Sequence, residues 1–322
     1  MQFAESFKET IFTINEQNFE SYCLEVFQHQ YAECPVYQEY CNLVAKNPKT
    51  IDQLNQIPFL PIEFFKGNHI KSGTWQEQKV FRSSGTTHTG RSEHLVRDLG
   101  FYHKITREIF QDHFGTLDSL QILALLPSYQ EMGDSSLIAM VDHFISHSKE
   151  DSKYVLNDTD EMLIGLGATK TKKLLLGVSY ALLDFAEKGP IPNKNTQIME
   201  TGGMKGRRTE ITRSELHQKL KDAFHVKEIF SEYGMTELMS QAYGKNGGFR
   251  FPNWAKVLIR DINDPFSYLA NGKTGGINVI DLANVDSCSF IETKDLGKSQ
   301  NNTFEVLGRF DNSDVRGCNL MF

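Results

Sequence analysis

Three short segments of the sequence combine hydroxyl, acidic and glycine residues in patterns suited to binding a nucleotide. The first segment reads Arg82-Ser83-Ser84-Gly85-Thr86-Thr87-His88-Thr89-Gly90. Small hydroxyl side chains around glycines let backbone N–H groups and hydroxyls converge on phosphate oxygens. The segment lacks the GxxxxGK[ST] pattern of a Walker A loop. It therefore predicts a phosphate-binding loop of another kind, and the alternative interpretation is a flexible Ser/Thr/Gly turn.

The second segment reads Ser231-Glu232-Tyr233-Gly234-Met235-Thr236-Glu237 and is predicted to lie where a strand ends and a helix begins. A ring, a glycine, a hydroxyl and a carboxylate on one such turn can contact a base, a phosphate and a divalent cation. Ligands of parallel sheets bind at the carboxyl ends of the strands, which is where this segment is expected. The alternative is a helix N-cap in which Thr236 or Glu237 only caps the helix.

The third segment is the C-terminal region, which contains two acidic residues near glycines and a cysteine close to the end. Asp295 and Asp311 lie in turn-like surroundings, where most acidic residues are simply solvated. Cys318 is followed by four residues and preceded by Arg316 and a glycine. A neighbouring cation lowers a thiol pKa, and thiolates are strong nucleophiles. Cys318 is therefore either a nucleophile or a small apolar filler of a terminal strand.

The elements that must position these segments can be predicted from apolar runs. Four runs are each followed by a turn or an amphipathic stretch, and they span residues 120–126, 173–178, 196–200 and 226–230. Runs of this kind indicate βα units around a mostly parallel, buried sheet. After residue 249 the pattern changes to alternating strands separated by turns such as Asn271-Gly272 and Gly275-Gly276, as in an antiparallel β subdomain.

The N-terminal region has a different pattern, with aromatic and apolar residues at helical spacing up to about residue 50. An extended connector follows at residues 57–61, where two prolines break helix. The sequence thus predicts an α/β protein in three segments. A helical N-terminal extension spans residues 1–56, an α/β core that contains the first two segments described above spans 57–248, and a β subdomain spans 249–322.

The composition excludes several classes of protein. The 322 residues carry 34 Lys and Arg against 41 Asp and Glu, so the formal net charge is −7, which argues against a nucleic-acid-binding protein. No apolar stretch approaches a membrane span, and the start lacks a signal-peptide core. Five cysteines show neither CxxC nor zinc spacing. We expect a cytoplasmic protein in which the other four cysteines, Cys23, Cys34, Cys41 and Cys288, fill the core. His143 and His147 are spaced to share one helical face, without a third ligand nearby in the sequence.

Taken in order, these segments resemble the adenylate-forming superfamily of acyl- and aryl-acid-activating enzymes. The phosphate loop of that family resembles residues 83–87, and its YGxTE turn matches residues 233–237 at each key position. Its double glycine resembles Gly202-Gly203, its ribose-binding aspartate resembles Asp295, and its GRxD hinge resembles residues 308–311, which include Arg309 and Asp311.

The resemblance implies ATP and Mg²⁺ as cofactors and a role for each matched residue. Ser83, Ser84, Thr86 and Thr87 would hold the β- and γ-phosphates beside Gly85. Within the turn, Tyr233 would stack on adenine next to Gly234, Thr236 would contact the α-phosphate, and Glu237 would bind Mg²⁺. Gly202 and Gly203 would face adenine, Asp295 would accept from the ribose hydroxyls, and Arg309 would contact the nucleotide.

Within the superfamily the sequence is most similar to the acyl-protein synthetase (LuxE-type) subunit of bacterial fatty-acid reductase. This narrower similarity rests on residues 57–66, 126–137, 200–207 and the terminal Arg316-Gly317-Cys318. It implies transfer of a fatty acyl group through Cys318 to a partner protein such as an acyl reductase subunit. The usual lysine after the phosphate loop is missing, with Arg91 as the closest cation, and we expect the small C-terminal lid domain to be absent. The alternatives are an acyl- or aryl-CoA ligase and a non-catalytic acyl- or nucleotide-binding subunit.

Overall fold

The computed structural model describes residues 2–83, 90–126, 133–155, 166–167, 171–189, 191, 195–202, 211–245 and 247–309. The α-helices in these ranges are α1 (Gln2–Thr10), α2 (Phe19–Glu33), α3 (Pro35–Leu43), α4 (Leu99–Phe114), α5 (Ser136–Ser146), α6 (Ser179–Ala186) and α7 (Arg213–Phe224). The strands are β1 (Leu60–Pro61), β2 (Lys79–Arg82), β3 (Glu93–Val96), β4 (Gln121–Leu125), β5 (Lys153–Tyr154), β6 (Lys173–Val178), β7 (Thr196–Thr201), β8 (Phe230–Tyr233), β9 (Ala242–Lys245), β10 (Gly248–Arg250), β11 (Ala255–Arg260), β12 (Gly275–Asp281), β13 (Phe290–Gln300) and β14 (Thr303–Arg309).

The chain divides into two compact units. The terminal unit combines Met1–Gln78, Gly85–Arg97 and Phe251–Phe322, and the central unit combines Lys79–Ser84 with Asp98–Arg250. The helices of the N-terminal region thus belong to the same unit as the strands after residue 250. The predicted division into segments 1–56, 57–248 and 249–322 describes order along the chain and stays a prediction.

The central unit is built on a sheet with the strand order β5-β4-β6-β7-β8-β9-β10. Strands β5, β4, β6, β7 and β8 run parallel, and β9 and β10 are added antiparallel. Every residue of β4 and β6 is buried. Strands buried on both faces need continuous apolar runs, and this explains the Leu- and Ile-rich pattern of the sequence. The prediction of a mostly parallel, buried sheet is confirmed.

Helices cover both faces of this central sheet. On one face, the ring of Phe110 in α4 packs on Phe144 in α5, with 4.6 Å between ring centroids, and also contacts Tyr243 in β9. On the other face, α7 begins with a capping box in which Thr212 and Glu215 satisfy each other's backbone N–H groups. Because side chains alternate along a strand, consecutive residues at the ends of β7 and β8 face these two different helix layers.

The terminal unit contains the antiparallel sheet β11-β12-β13-β14, which β1 extends by pairing parallel with β13. Its core forms around Phe290 at the start of β13. The ring of Tyr37 in α3 stacks on Phe290 with 6.2 Å between centroids, and Phe27 of α2 meets the same ring edge-on at 6.4 Å. The predicted antiparallel region after residue 249 and the predicted N-terminal helices are confirmed.

Two local predictions are wrong. The strand expected at 226–230 begins only at Phe230, and a turn rather than a helix follows it. The chain instead returns antiparallel, with Tyr233 opposite Ala242. Gly275 and Gly276 lie within β12 rather than in a turn. Glycine is needed there because a Cβ on Gly276 would lie 2.4 Å from Cζ of the buried Arg260.

Candidate functional site

The carboxyl ends of β7 and β8 bring two of the predicted nucleotide-binding elements together in the central unit. The strands pair in register so that Thr201 lies opposite Glu232. Gly202 follows β7 with a φ of 67°, in the left-handed region that favours glycine. Tyr233 ends β8 and opens the turn to Glu237. The predicted adenine-facing glycine and the predicted binding turn therefore lie at one edge of the sheet, which we call the carboxyl edge.

The turn itself spans residues 233–237 and is closed by a hydrogen bond from the backbone N–H of Leu238 to the carbonyl of Met235, at 3.1 Å. Gly234 is exposed, Met235 and Thr236 are half-buried, and Glu237 is buried with 5% of its surface exposed. The turn thus presents backbone and a hydroxyl at the surface while its carboxylate lies beneath.

Tyr233 packs against the ring of Phe249 in β10, with 5.7 Å between centroids and 50° between ring planes. The guanidinium of Arg213, at the start of α7, lies over that same Phe249 ring at 4.7 Å. Cation–π contacts of this kind hold both partners in a defined orientation. The position of Tyr233 at the strand end is therefore fixed by packing as well as by the β8 ladder.

Glu200 lies on the α7 face of the carboxyl edge and is surrounded by donors. Its Oε1 lies 3.4 Å from Nε of Arg213 and 3.5 Å from Nε2 of His217. The hydroxyl of Ser179 in α6 donates to its Oε2 at 3.0 Å and also to the carbonyl of Gly202 at 2.9 Å. The Ser179 hydroxyl thereby ties the first residue after β7 to this charged cluster.

Glu232 lies on the opposite face, where its surroundings are less polar. Thr201 donates its hydroxyl to Oε2 of Glu232. No cation pairs with this carboxyl in the described part of the chain. Burial raises the pKa of Glu232 to about 7. The Thr201 hydrogen bond opposes the increase, and the negative charge of Glu200 adds to it.

Glu237 is the predicted magnesium ligand. Mg²⁺ is usually bound by one or two carboxylates together with substrate phosphates and water, so a single buried carboxylate on the predicted nucleotide-binding turn fits that donor set. Within the described ranges no three His, Cys, Asp or Glu residues form a group that could hold a metal ion by themselves. The residues present therefore fit a cation shared with a nucleotide and do not fit a closed protein site.

Asp295 and Arg309 belong to the terminal unit, where β13 and β14 place them opposite each other in register. Nε of Arg309 lies 3.4 Å from Oδ1 of Asp295, and the Arg309 side chain is 70% exposed while that of Asp295 is 12% exposed. The Asp295 backbone N–H donates to the Thr293 hydroxyl at 3.1 Å. This geometry holds a largely buried carboxylate with the exposed guanidinium of Arg309 beside it.

Several predicted site residues lie outside the described residues, namely Ser84, Gly85, Thr86, Thr87, Gly203, Asp311 and Cys318. Ser83 is described and follows β2 in the central unit. Its neighbour Arg82 is anchored to Asp134, whose backbone carbonyl accepts from the Arg82 N–H at 2.8 Å. The start of the predicted phosphate loop is thus attached to the segment that leads into α5.

The four remaining cysteines are all buried free thiols in the terminal unit. Burial raises the pKa of Cys41 to about 12 and also raises the pKa of the thiols of Cys23, Cys34 and Cys288. Thiols with raised pKa values are poor nucleophiles near neutral pH because little thiolate forms. The expectation that these four cysteines fill the core is confirmed.

The structure also identifies residues that sequence reasoning had not singled out. In the sequence Glu200 and Glu232 stand out only as parts of strands or motifs, and no pattern marks His217 or Ser179. The sequence does contain a signal for the two glutamates, because each lies near the end of a predicted parallel strand. Ligands of parallel sheets bind at the carboxyl ends of the strands, so polar residues there are candidate site residues. A search for acidic residues at strand ends would have found both glutamates.

Comparisons with known proteins found no matching family model and no matching curated protein. Among solved structures, 2-hydroxyisobutyryl-CoA ligase with 2-HIB-AMP and CoA bound has a TM-score of 0.70 at 13% identity, over 94% of this chain and 71% of the ligase. ATP-bound MatB from Rhodopseudomonas palustris has a TM-score of 0.53 at 14% identity, over 71% of this chain and 47% of MatB. The chain thus spans about half the length of MatB.

These likenesses show that the chain has the α/β fold of an adenylate-forming enzyme core, as the sequence predicts. None of the helices in the described ranges has both the length and the apolar character needed to cross a membrane.

Proposed function

We propose that this protein, which has the fold of adenylate-forming enzymes, activates a fatty or related carboxylic acid with ATP and transfers the acyl group through Cys318 to a partner protein. The observation that carries the proposal is the position of the 233–237 turn beside Gly202 at the carboxyl edge of the central sheet. The same fold binds an acyl-AMP in 2-hydroxyisobutyryl-CoA ligase. A fold alone does not fix a function, so the residues of the turn are the main support.

In the first step, a carboxylate oxygen of the substrate attacks the α-phosphorus of ATP. The bond between that phosphorus and the bridging oxygen breaks, and pyrophosphate leaves, which gives acyl-AMP. Thr236 contacts the α-phosphate, and Tyr233 holds adenine at the strand end where Phe249 packs against its ring. Glu237 would hold Mg²⁺, which neutralises phosphate charge when bound. Catalysis of this step is mainly positioning and charge stabilisation.

The other predicted nucleotide contacts complete the first step. Ser83 and the hydroxyls that follow it, with Gly85, bind the β- and γ-phosphates, and Gly202 and Gly203 face the base. Asp295 accepts hydrogen bonds from the ribose, and Arg309 fixes the Asp295 carboxylate at 3.4 Å. The residue pair at 309 and 311 is the proposed hinge-like element.

In the second step, the thiolate of Cys318 attacks the acyl carbon of the mixed anhydride. The bond between that carbon and the AMP phosphate oxygen breaks, AMP leaves with the electron pair, and the thiol proton passes to solvent. The product is a thioester, from which a partner protein such as an acyl reductase subunit takes the acyl group. The raised pKa values of the four buried cysteines favour Cys318 as the reacting thiol.

A second candidate function is an acyl-CoA ligase, in which coenzyme A takes the place of Cys318. This alternative is favoured by the likeness to a CoA ligase with CoA bound. Both functions share the adenylation step and differ only in the thiol that accepts the acyl group.

The test is to incubate the purified protein with Mg²⁺ and a panel of short-chain, long-chain and aryl carboxylic acids, with and without ATP. We expect an ATP-dependent acyl adduct in the intact mass, released by hydroxylamine and located at Cys318 by peptide mapping. Cys318→Ser should abolish the adduct while pyrophosphate release continues. Glu237→Gln should reduce pyrophosphate release at least tenfold, on the order expected for loss of a metal ligand.

Glu228→Gln is the matched control, because Glu228 is a partly exposed glutamate that pairs with Lys245 at 3.0 Å. It should release pyrophosphate at the wild-type rate. An ATP-dependent acyl-CoA product without a protein adduct would assign the CoA ligase function instead. Binding of ATP without any pyrophosphate release would contradict both enzymes and leave a nucleotide-binding subunit.

A further inference from the structure

The carboxyl group of Glu232 lies directly beneath the 233–237 turn. Its Oε1 lies 2.5 Å from the point that a Cβ on Gly234 would occupy, so this carboxyl oxygen fills the space left by the missing side chain. Glu232 is buried, with 9% of its surface exposed. The only hydrogen bond to its side chain in the described ranges comes from Thr201 and reaches the other oxygen, Oε2.

Gln241, which directly precedes β9, approaches the same point. Its Cγ lies 3.3 Å from the position of a Cβ on Gly234. Its Oε1 is buried and has no hydrogen-bond partner among the described residues, while its Nε2 donates to the carbonyl of Met239 at 3.4 Å. Oε1 of Glu232 and Cγ of Gln241 thus both approach Gly234, and the amide oxygen of Gln241 is a buried acceptor that lacks a donor among the described residues.

A proton on the Glu232 carboxyl would supply the donor that the amide oxygen of Gln241 lacks. A neutral carboxylic acid has an O–H donor as well as an acceptor oxygen, so Thr201 can donate to one oxygen while the other donates to Gln241. Burial and the nearby charge of Glu200 in β7 favour this neutral form. The buried side chains of Tyr102 in α4 and Tyr243 in β9 lie close enough that a charge on Glu232 raises the pKa of both phenols.

We propose that Glu232 is a positioning residue that works as a neutral carboxylic acid, and that its hydrogen bonds to Thr201 and Gln241 hold the 233–237 turn in the shape that binds ATP. This inference deepens the proposed function and rests on it. Glu232 contacts no reacting atom and acts through the turn. Loss of the proton leaves a buried carboxylate that has no cation among the described residues and can no longer donate to the Gln241 amide, which destabilises the turn.

The proposal gives ATP affinity a defined dependence on pH. Burial raises the pKa of Glu232 to about 7, so the neutral fraction falls between pH 6 and pH 8. If only the neutral form is competent, apparent affinity falls with that fraction, by about tenfold over this interval. Glu232→Gln keeps an acceptor and a donor in the same places and has no proton to lose, so its affinity should stay within about twofold of the wild-type value at pH 6.

The test measures binding of Mg·ATP by calorimetry at pH 6, 7 and 8 for the wild type, Glu232→Gln and the matched control Glu228→Gln. The wild type and Glu228→Gln should lose affinity together, and Glu232→Gln should not. Gln241→Leu, which removes the amide oxygen together with the Nε2 that donates to the carbonyl of Met239, should weaken binding more at pH 6 than at pH 8. Equal pH dependence of the wild type and Glu232→Gln would overturn the proposal.

A second measurement separates this inference from the proposed function. Urea unfolding without ATP should show the wild type losing stability relative to Glu232→Gln as pH rises from about 4.5 to about 7, with no further loss above that range. Absence of ATP binding in every variant would overturn the nucleotide-binding role of the turn, and with it the function proposed above. Parallel unfolding profiles for the wild type and Glu232→Gln would show that Glu232 is not a neutral acid.

Discussion

Each unit of the molecule buries an ionisable side chain at or next to the end of a strand, and the two side chains have very different hydrogen-bond partners. Arg260 ends β11 in the terminal unit and Glu232 precedes the end of β8 in the central unit. Arg260 donates to the carbonyls of Ile277 and Thr293 and to Oδ1 of Asn278, and its Nη2 lies 3.4 Å from Glu292. Glu232 receives one hydrogen bond, from Thr201, among the described residues.

This difference distinguishes a residue that supports the fold, Arg260, from a residue of the candidate binding site, Glu232. A buried charge with several matched partners is stable as it is, and removing it leaves those partners unsatisfied. A buried carboxyl with one partner and no cation changes its protonation state instead. Arg260 therefore stabilises the pairing of β12 with β13 as a hydrogen-bond donor. Glu232 lacks such partners, and its hydrogen bonding is completed when the carboxyl is protonated.

The largest effect expected from this comparison is the loss of Arg260. Arg260→Met should lower the free energy of unfolding by about 3–5 kcal/mol, because the Glu292 carboxylate and the acceptors on β12 and β13 lose their donor. Urea unfolding at neutral pH measures this loss. Arg250→Met is the matched control, since Arg250 pairs with Asp112 at 3.0 Å between side chains that are 54% and 65% exposed. The control should cost less than about 1 kcal/mol.

A stability for Arg260→Met within error of the wild type would remove the distinction, because the buried arginine would then have no greater role than a surface ion pair.

A smaller effect is expected at Gly234. Gly234→Ala places a Cβ 2.5 Å from Oε1 of Glu232 and displaces that carboxyl. We expect a loss of about 1–3 kcal/mol in stability, as for other overpacked sites, together with weaker ATP binding. Gly133→Ala is the control, because a Cβ there meets nothing within 4 Å. Urea unfolding and calorimetry measure the two effects.

The double variant Gly234→Ala with Glu232→Ala sharpens this test. If the clash is with the Glu232 side chain, the loss of stability in the double variant should be smaller than the sum of the losses in the two single variants, by about 1 kcal/mol or more. Additive losses would mean that Gly234 and Glu232 act independently.

The sequence could predict the parts of this arrangement that depend on local pattern. Continuous apolar runs predicted β4, β6 and β7, and the residue types from Tyr233 to Glu237 indicated a turn at a strand end. The same residue types are also good helix caps, which is why a helix was expected after β8. Its absence depends on the return of the chain as β9, a pairing that no local signal specifies.

The state of Glu232 could not be predicted because its surroundings come from distant parts of the chain. Tyr102 is 130 positions away from it in the numbering, and Thr201 reaches it only through the register of β7 and β8. A strand glutamate in the sequence is equally consistent with an exposed edge. Only tertiary packing determines which carboxylate loses contact with water.

The smallest expected effect concerns His143, whose contribution to stability changes with pH in the opposite direction to that of Glu232. The sequence placed His143 and His147 on one helical face, and the structure adds His103 of α4, whose ring stacks on His143 with 4.4 Å between centroids and 8° between planes. Burial lowers the pKa of His143 to about 4, and His103, His147 and Arg107 add to this. The neutral ring is therefore favoured in the folded chain.

Because the pKa of His143 is lower in the folded than in the unfolded chain, its contribution to stability is present above about pH 6.5 and is lost as pH falls toward 4. The side chain is only partly buried, so solvent screening should keep this loss below about 1 kcal/mol. His143→Gln should flatten the unfolding profile between pH 6.5 and 4, whereas the exposed control His69→Gln should not. An unchanged slope in His143→Gln would show that the histidine stack does not titrate with folding. Glu232 lowers stability as pH rises toward 7 and His143 lowers it as pH falls toward 4, so the combined contribution of these two groups should be most favourable between the two pKa values.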